Sequence, residues 1–292
     1  MEVHQLRYFC AVARAGNFTR AAAAEGVAQP SLSQQILKLE DELGARLFDR
    51  LSRFARLTDF GAAFLPSAHA ILRQIAEAHE EIQEMQGSEK GTMTLGAIPT
   101  VAPYLLPGVL GDFARAFPHV SLNVQEEITP VLLERLHAAT LDFAIVALPV
   151  PGDELESVAL LREPLFAALP RRHRLASRDS LRLADLKGEP FLLLKEGHCF
   201  RESALAACRR SRVSPNVVFE SGQFQTILAM VASGMGVSVV PSMAKDAHSG
   251  CRFVRITDER SYRRIGAVRL KHHYMGKAQA VFWGFLKQRA AR

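Results

Sequence analysis

The chain has 292 residues, of which 48% are hydrophobic and 23% charged, and it carries a net charge of +6. That length accommodates two or three domains with cores of their own, and the composition excludes a disordered chain. No apolar run reaches the roughly 20 residues a membrane helix needs. Met1-Glu2-Val3-His4-Gln5 is no secretory leader, so the expected location is cytoplasmic with no membrane partner.

In residues 4–16, Leu6, Phe9, Cys10, Val12 and Ala13 recur at helical spacing, and Gly16 ends the pattern. Asn17-Phe18-Thr19 supplies capping groups for a short alanine-rich helix, 20–25, closed by Gly26. Pro30 suits the first turn of a third helix, on which Leu32, Ile36, Leu39 and Leu43 make one apolar face. The opposite face carries Ser31, Ser33, Gln34, Gln35 and Lys38. A short helix, a tight turn and a second helix with a hydrogen-bonding face read as a helix-turn-helix, although a plain helical hairpin has the same periodicity. The stretch 43–58 decides for DNA, because it holds Arg46, Arg50, Arg53 and Arg56 against Asp49 alone. That is the composition of a basic wing that clamps phosphates. Gln29, Ser31, Ser33 and Gln34, behind Pro30, are then the candidate base readers, since amides and hydroxyls match base edges. Arg50, Arg53 and Arg56 are the candidate phosphate contacts.

Residues 59–85 form a long helical pattern with Leu65, Ala68, Leu72, Ile75, His79 and Ile82 on alternating three- and four-residue steps. One narrow seam among charged faces predicts pairing with a second copy, through Leu65, Leu72, Ile75 and Ile82. His79 reads as a packing residue, and Pro66 as a kink or a start. The pattern breaks at 86–91, where a domain boundary is expected.

Beyond it strands alternate with helices. Strands are expected at 92–98, 120–125, 141–147, 164–169, 191–194, 217–220, 237–240 and 265–270. Helices are expected at 103–117, 129–139, 200–212 and 223–232. This order predicts parallel sheets and two α/β lobes with a ligand cleft between them. No nucleophile elbow, phosphate loop or dinucleotide fingerprint is present, which argues against an enzyme. No Cys/His spacing suits zinc, and neither a metal nor a cofactor is expected. Of Cys10, Cys199, Cys208 and Cys251, Cys199 precedes an expected helix, with His198 and Arg201 close by, a setting that favours thiolate. Taken alone, two cysteines in such a chain are more often packing residues than a redox pair.

Phe18-Thr19-Arg20-Ala21-Ala22, Gln29-Pro30-Ser31-Leu32-Ser33-Gln34-Gln35-Ile36, Leu39-Glu40, Leu43-Gly44, Leu47-Phe48-Asp49-Arg50 and Leu57-Thr58-x-x-Gly61 resemble the LysR-type transcriptional regulators in order and spacing. Ala28 departs from that family, which commonly has a capping serine there. The resemblance implies a winged helix-turn-helix at 1–58 and a linker helix at 59–87. It implies a two-lobed effector domain at 88–292, like the periplasmic binding proteins, with lobes of about 88–163 plus 266–292 and 164–265. It also implies double-stranded operator DNA and RNA polymerase as partners, and a homotetramer. Residues 96–107 and Glu196-Gly197-His198-Cys199-Phe200-Arg201, followed by Cys208, are similar to the peroxide-responsive OxyR branch. That similarity implies Cys199 as peroxidatic thiol, Cys208 as its resolving partner, and Thr100, Thr129 and His198 around a hydrogen peroxide site. Cys10 and Cys251 match nothing functional. The competing expectation is a regulator that binds a small organic co-inducer in the cleft.

Overall fold

The computed structural model describes residues 1–51, 54–85, 91–271 and 273–290. Two compact units emerge, Met1–Ser88 with His137–Thr140, and Glu89–Leu136 with Leu141–Arg292.

In the first unit α1 (Val3–Ala15), α2 (Phe18–Ala24) and α3 (Gln29–Leu43) precede a hairpin of β1 (Phe48–Leu51) and β2 (Phe54–Leu57), then α4 (Asp59–Met85). Gly16 ends α1 in the left-handed conformation, at φ 60°. The Asn17 side chain accepts the Arg20 N–H at 3.0 Å, which caps α2. Leu6, Phe9, Val12, Leu32, Ile36, Leu39 and Phe48 form the core. Leu43 does not continue that face, because it is 40% exposed. Glu40 takes over instead: it is buried, and its carboxylate accepts the Leu47 and Phe48 N–H groups at 2.8 and 3.2 Å. Those bonds tie the end of α3 to the start of the wing, where Asp49 pairs across the hairpin with Arg56.

The α4 seam divides into two parts. Ala68 is fully buried, and Phe64, Leu65 and Leu72 pack against this unit's own core. Ile82, further along, is 58% exposed. Pro66 lies inside the helix, about two turns from its start at Asp59. The His79 side chain and residues 86–90 of the boundary expected at 86–91 fall outside the described residues.

The second unit begins with β3 (Thr92–Ala97), α5 (Ala102–Ala116), β4 (Ser121–Glu126), α6 (Thr129–His137) and β5 (Phe143–Leu148). There follow β6 (Leu155–Pro170), β7 (Ser180–Leu181), β8 (Pro190–Leu194), α7 (Cys199–Arg210), β9 (Asn216–Ser221) and α8 (Phe224–Ala232). It closes with β10 (Ser238–Pro241), a 3₁₀ turn at Ser242–Ala244, β11 (Cys251–Ile256), β12 (Tyr262–Leu270) and α9 (Lys277–Ala290). The expected parallel arrangement holds only in part. β4, β3 and β5 run parallel, as do β8 and β9. β12, however, runs antiparallel to both β5 and β6, and β6 runs antiparallel to β10 and β11.

The long strand β6 is the joint of this unit. Its first ten residues pair with β12, and from Leu165 onward it pairs with β10 and β11. Two hydrophobic cores lie on either side of that change of partner. One draws on Met93 to Leu155 together with Ile265 to Leu286, the other on Leu165 to Ile256. Charged Glu156, Arg162 and Glu163 hid the first half of β6 from the hydrophobic pattern. β11 and α9 carry no expectation from sequence, although α9 buries Phe282, Trp283 and Leu286.

Candidate functional site

Three loops at the carboxyl ends of parallel strands meet in the second unit, the position where α/β sheets bind ligands. Residues 98–101 follow β3, residues 127–129 follow β4, and residues 195–198 link β8 to α7. Together Ile98, Pro99, Thr100, Ile128, Thr129, Gly197, His198 and Cys199 line a narrow cavity whose walls leave no room for a water molecule in this closed form. Gly197 makes the turn at φ +89°, where a side chain is strained. His198 is the N-cap residue of α7, and Cys199 is its first residue. The expected Thr100, Thr129, His198 and Cys199 thus line one cavity.

The polar groups there differ in their surroundings. Burial holds the His198 imidazole below the usual histidine range, Glu126 opposing and Lys195 assisting, so the ring is neutral at pH 7. The Thr129 hydroxyl oxygen is buried and has no hydrogen-bond partner among the described residues. Thr100, 2% exposed, accepts a bond from Arg263 Nη1 on its hydroxyl at 2.9 Å and from Nη2 on its carbonyl at 2.9 Å. Arg263 Nε donates to Glu163 Oε1, completing a buried ion pair. Arg263 is lowered from its ordinary range by burial, which the charge and hydrogen bond of Glu163, then the neighbouring Cys199 and Tyr104, oppose. Its guanidinium carbon lies 5.1 Å from the centre of the Phe200 ring.

Arg263 is the site residue that sequence reasoning missed. The expected strand began at 265, three residues after β12 starts, and an arginine in Tyr262-Arg263-Arg264 reads as solvent-facing. Only 4% exposure marks it as different from Arg264.

Cys199 and Cys208 both lie in the unbroken helix α7, both with free thiols. Cys199 is half-buried and packs against the first core, whereas Cys208 is 1% exposed inside the second. Nine helical residues rise about 13.5 Å, roughly twice the Cα separation a disulfide tolerates. Burial, with Asp258 adding and Arg209 opposing, pushes the Cys208 thiol up to about 11. Burial likewise pushes Cys10 up to about 12. A roomier cavity of about 540 Å³, lined by Arg171, Arg172, His173 and Arg252, shares no residue with the cysteine site.

In the first unit Gln29, Pro30, Ser31 and Gln34 are exposed on α3, and Ser33 is half-buried. Ala28 precedes the helix without a side-chain cap bond, and Pro30 occupies its first turn. Arg56 is exposed on β2. Arg53 and the Arg50 side chain fall outside the described residues.

Residues 3–62 match the bacterial regulatory helix-turn-helix protein, lysR family, and residues 86–291 match the LysR substrate binding domain. The DNA-binding transcriptional dual regulator OxyR of Escherichia coli K12 is 35% identical over 244 residues, covering 84% of this chain and 80% of that one. The uncharacterized HTH-type regulator YybE of Bacillus subtilis is 33% identical over 282 residues, 97% of each chain. Among solved structures, full-length OxyR C199D from Pseudomonas aeruginosa superposes with a TM-score of 0.78 at 31% identity, covering 99% of this chain and 94% of that one.

Proposed function

The chain belongs to the LysR family of DNA-binding transcriptional regulators, and from that premise we propose that its signal is hydrogen peroxide, read by Cys199 and Cys208. The observation that carries this reading is the orphaned Thr129 hydroxyl at a cavity, too tight for a water molecule in this closed form, that Cys199 also lines. Organic effectors occupy pockets of about 300–1,000 Å³. A two-oxygen ligand that both donates and accepts hydrogen bonds suits the smaller space and the groups around it: the Thr100 and Thr129 hydroxyls and the neutral His198 ring.

In the first step the Cys199 thiolate attacks one peroxide oxygen. The S–O bond forms as the O–O bond breaks, sulfur is oxidised by two electrons, and the departing hydroxide takes up a proton to become water. Arg263 places positive charge beside the sulfur, and the threonine hydroxyls hold the leaving oxygen. In the second step the Cys208 sulfur attacks the sulfenic acid, the S–S bond forms, and water leaves. Because a continuous helix holds the two residues too far apart, α7 must open between the steps. That refolding alters how effector domains pack and hence how paired DNA-reading heads are spaced.

Gln29, Ser31, Ser33 and Gln34 face base edges in this reading, with Pro30 opening the helix, and Arg50, Arg53 and Arg56 meet phosphates. Leu65, Leu72, Ile75 and Ile82 belong to the pairing helix of a dimer within a tetramer that engages RNA polymerase. The protein then works in the cytoplasm. The effector domain comprises 88–292, behind a head at 1–58 and a linker at 59–87. One equivalent of peroxide should give a 199–208 disulfide by peptide mass mapping, and Cys208→Ser should stop the reaction at the sulfenic acid. Four thiols unchanged after peroxide would leave the co-inducer reading in front.

A further inference from the structure

We propose that Glu163 is a positioning residue of the Cys199 site, acting through Arg263 to fix the direction of the Thr100 hydroxyl proton. This rests on the peroxide reading above.

Glu163 and Arg263 stand 100 positions apart in sequence, and both side chains are under 5% exposed. Each partner is anchored on its far side. Glu163 Oε2 accepts the Met243 N–H at 3.1 Å and the Ser242 hydroxyl at 3.3 Å, both from the 3₁₀ turn after β10. Arg263 spends Nη1 and Nη2 on Thr100. The pair therefore ties the turn at Ser242–Ala244, through β6 and β12, to the loop that lines the cavity.

The consequence lies in the hydroxyl of Thr100. A threonine hydroxyl has one proton to donate and two lone pairs to accept with. Arg263 Nη1 can only donate, so Thr100 Oγ1 accepts there and its own proton points elsewhere. Thr100 lines the cavity with Cys199 and Thr129, so that proton is available to a bound oxygen. Glu163 holds this polarity in place. Without its carboxylate, a guanidinium 4% exposed loses its countercharge, and a buried charge cannot stay unpaired. Arg263 would turn or draw in water, releasing Thr100 to rotate. The leaving oxygen of peroxide would then meet a hydroxyl of undefined direction.

The test compares two reagents at one pH, in full-length protein carrying Cys208→Ser so that oxidation stops at Cys199. Hydrogen peroxide and iodoacetamide both react with the thiolate. The ratio of their rate constants at Cys199, read by peptide mass spectrometry, therefore cancels the thiolate fraction and isolates what the pocket does for peroxide. Glu163→Gln should lower that ratio by about tenfold, the effect of one well-placed hydrogen bond. Glu163→Asp keeps the charge but is one methylene too short to reach both Arg263 and the 242–243 turn. It should lower the ratio in the same direction and serves if the glutamine variant does not fold. Variants that slow both reagents equally, or neither, would overturn the positioning role while leaving the peroxide reading intact. A parent protein whose Cys199 is alkylated but not oxidised would overturn both.

Discussion

The opening of α7 is the step most exposed to measurement, and Ala204→Gly isolates it. Ala204 sits mid-helix between the two cysteines, 1% exposed and outside the residues that line the cavity. Glycine costs a helix interior about 0.8–1.0 kcal/mol relative to alanine. The lost buried methyl adds about 0.8 kcal/mol. The folded helix is thus disfavoured by about 1.5–2 kcal/mol, which multiplies the open population roughly 10–30-fold, at 1.4 kcal/mol per factor of ten. Peroxide pulses quenched at intervals with a sulfenic-acid trap and an alkylating reagent resolve the two steps by mass. The variant should form the Cys199 sulfenic acid at the parent rate and close the disulfide about 10–30-fold faster. Equal closure rates would mean that the helix does not gate Cys208, and the geometric argument would fail with it.

Three further outcomes follow from the same structure. A charge at Ile82, exposed on α4, should disrupt dimers in sedimentation while leaving the thermal stability of the head unchanged, whereas Leu72→Glu should also destabilise the head's own core; an intact Ile82→Glu oligomer would remove the pairing seam. Gln34→Ala should change base preference in binding-site selection by about 1–3 kcal/mol at one position. Arg56→Ala should instead weaken all sites alike and flatten the salt dependence of binding. Thermal stability should fall as pH rises above about 9, because thiols raised in the folded state to about 12 at Cys10 and about 11 at Cys208 stay neutral there while the unfolded chain ionises. Cys10→Ala and Cys208→Ala should each flatten that alkaline limb, and a limb unmoved by both would contradict the burial of these thiols.

The parts of the molecule that sequence made legible are those whose partners lie close along the chain. Leu32, Ile36 and Leu39 follow one helical face and are fully buried, as their spacing implies. Cys199 and Cys208 fall on one helix with His198 as its N-cap, and the helix expected at 200–212 already held Cys208 with Cys199 at its start. Contacts between distant residues were not legible. Arg263 and Glu163 meet across two antiparallel strands, and a charge on a strand defaults to solvent until its neighbour is known. The same limit explains the parallel sheet that proved mixed, since β6 and β12 pair through a register that no local pattern encodes. A heptad seam likewise says that an apolar stripe needs a cover, not which one. On α4 Phe64, Leu65, Ala68 and Leu72 are covered by the head itself, whereas Ile82, further along, is 58% exposed.

The central claim is that peroxide, through Cys199, changes how this regulator holds DNA. Footprinting of the full-length protein on its own upstream region, with and without one equivalent of peroxide, tests that most directly. The parent protein should shift or shorten its protected region on oxidation and recover it on reduction, while Cys199→Ser should show the same footprint under both conditions. A Cys199→Ser protein whose footprint still answers peroxide, or a parent whose footprint ignores it, would contradict the account.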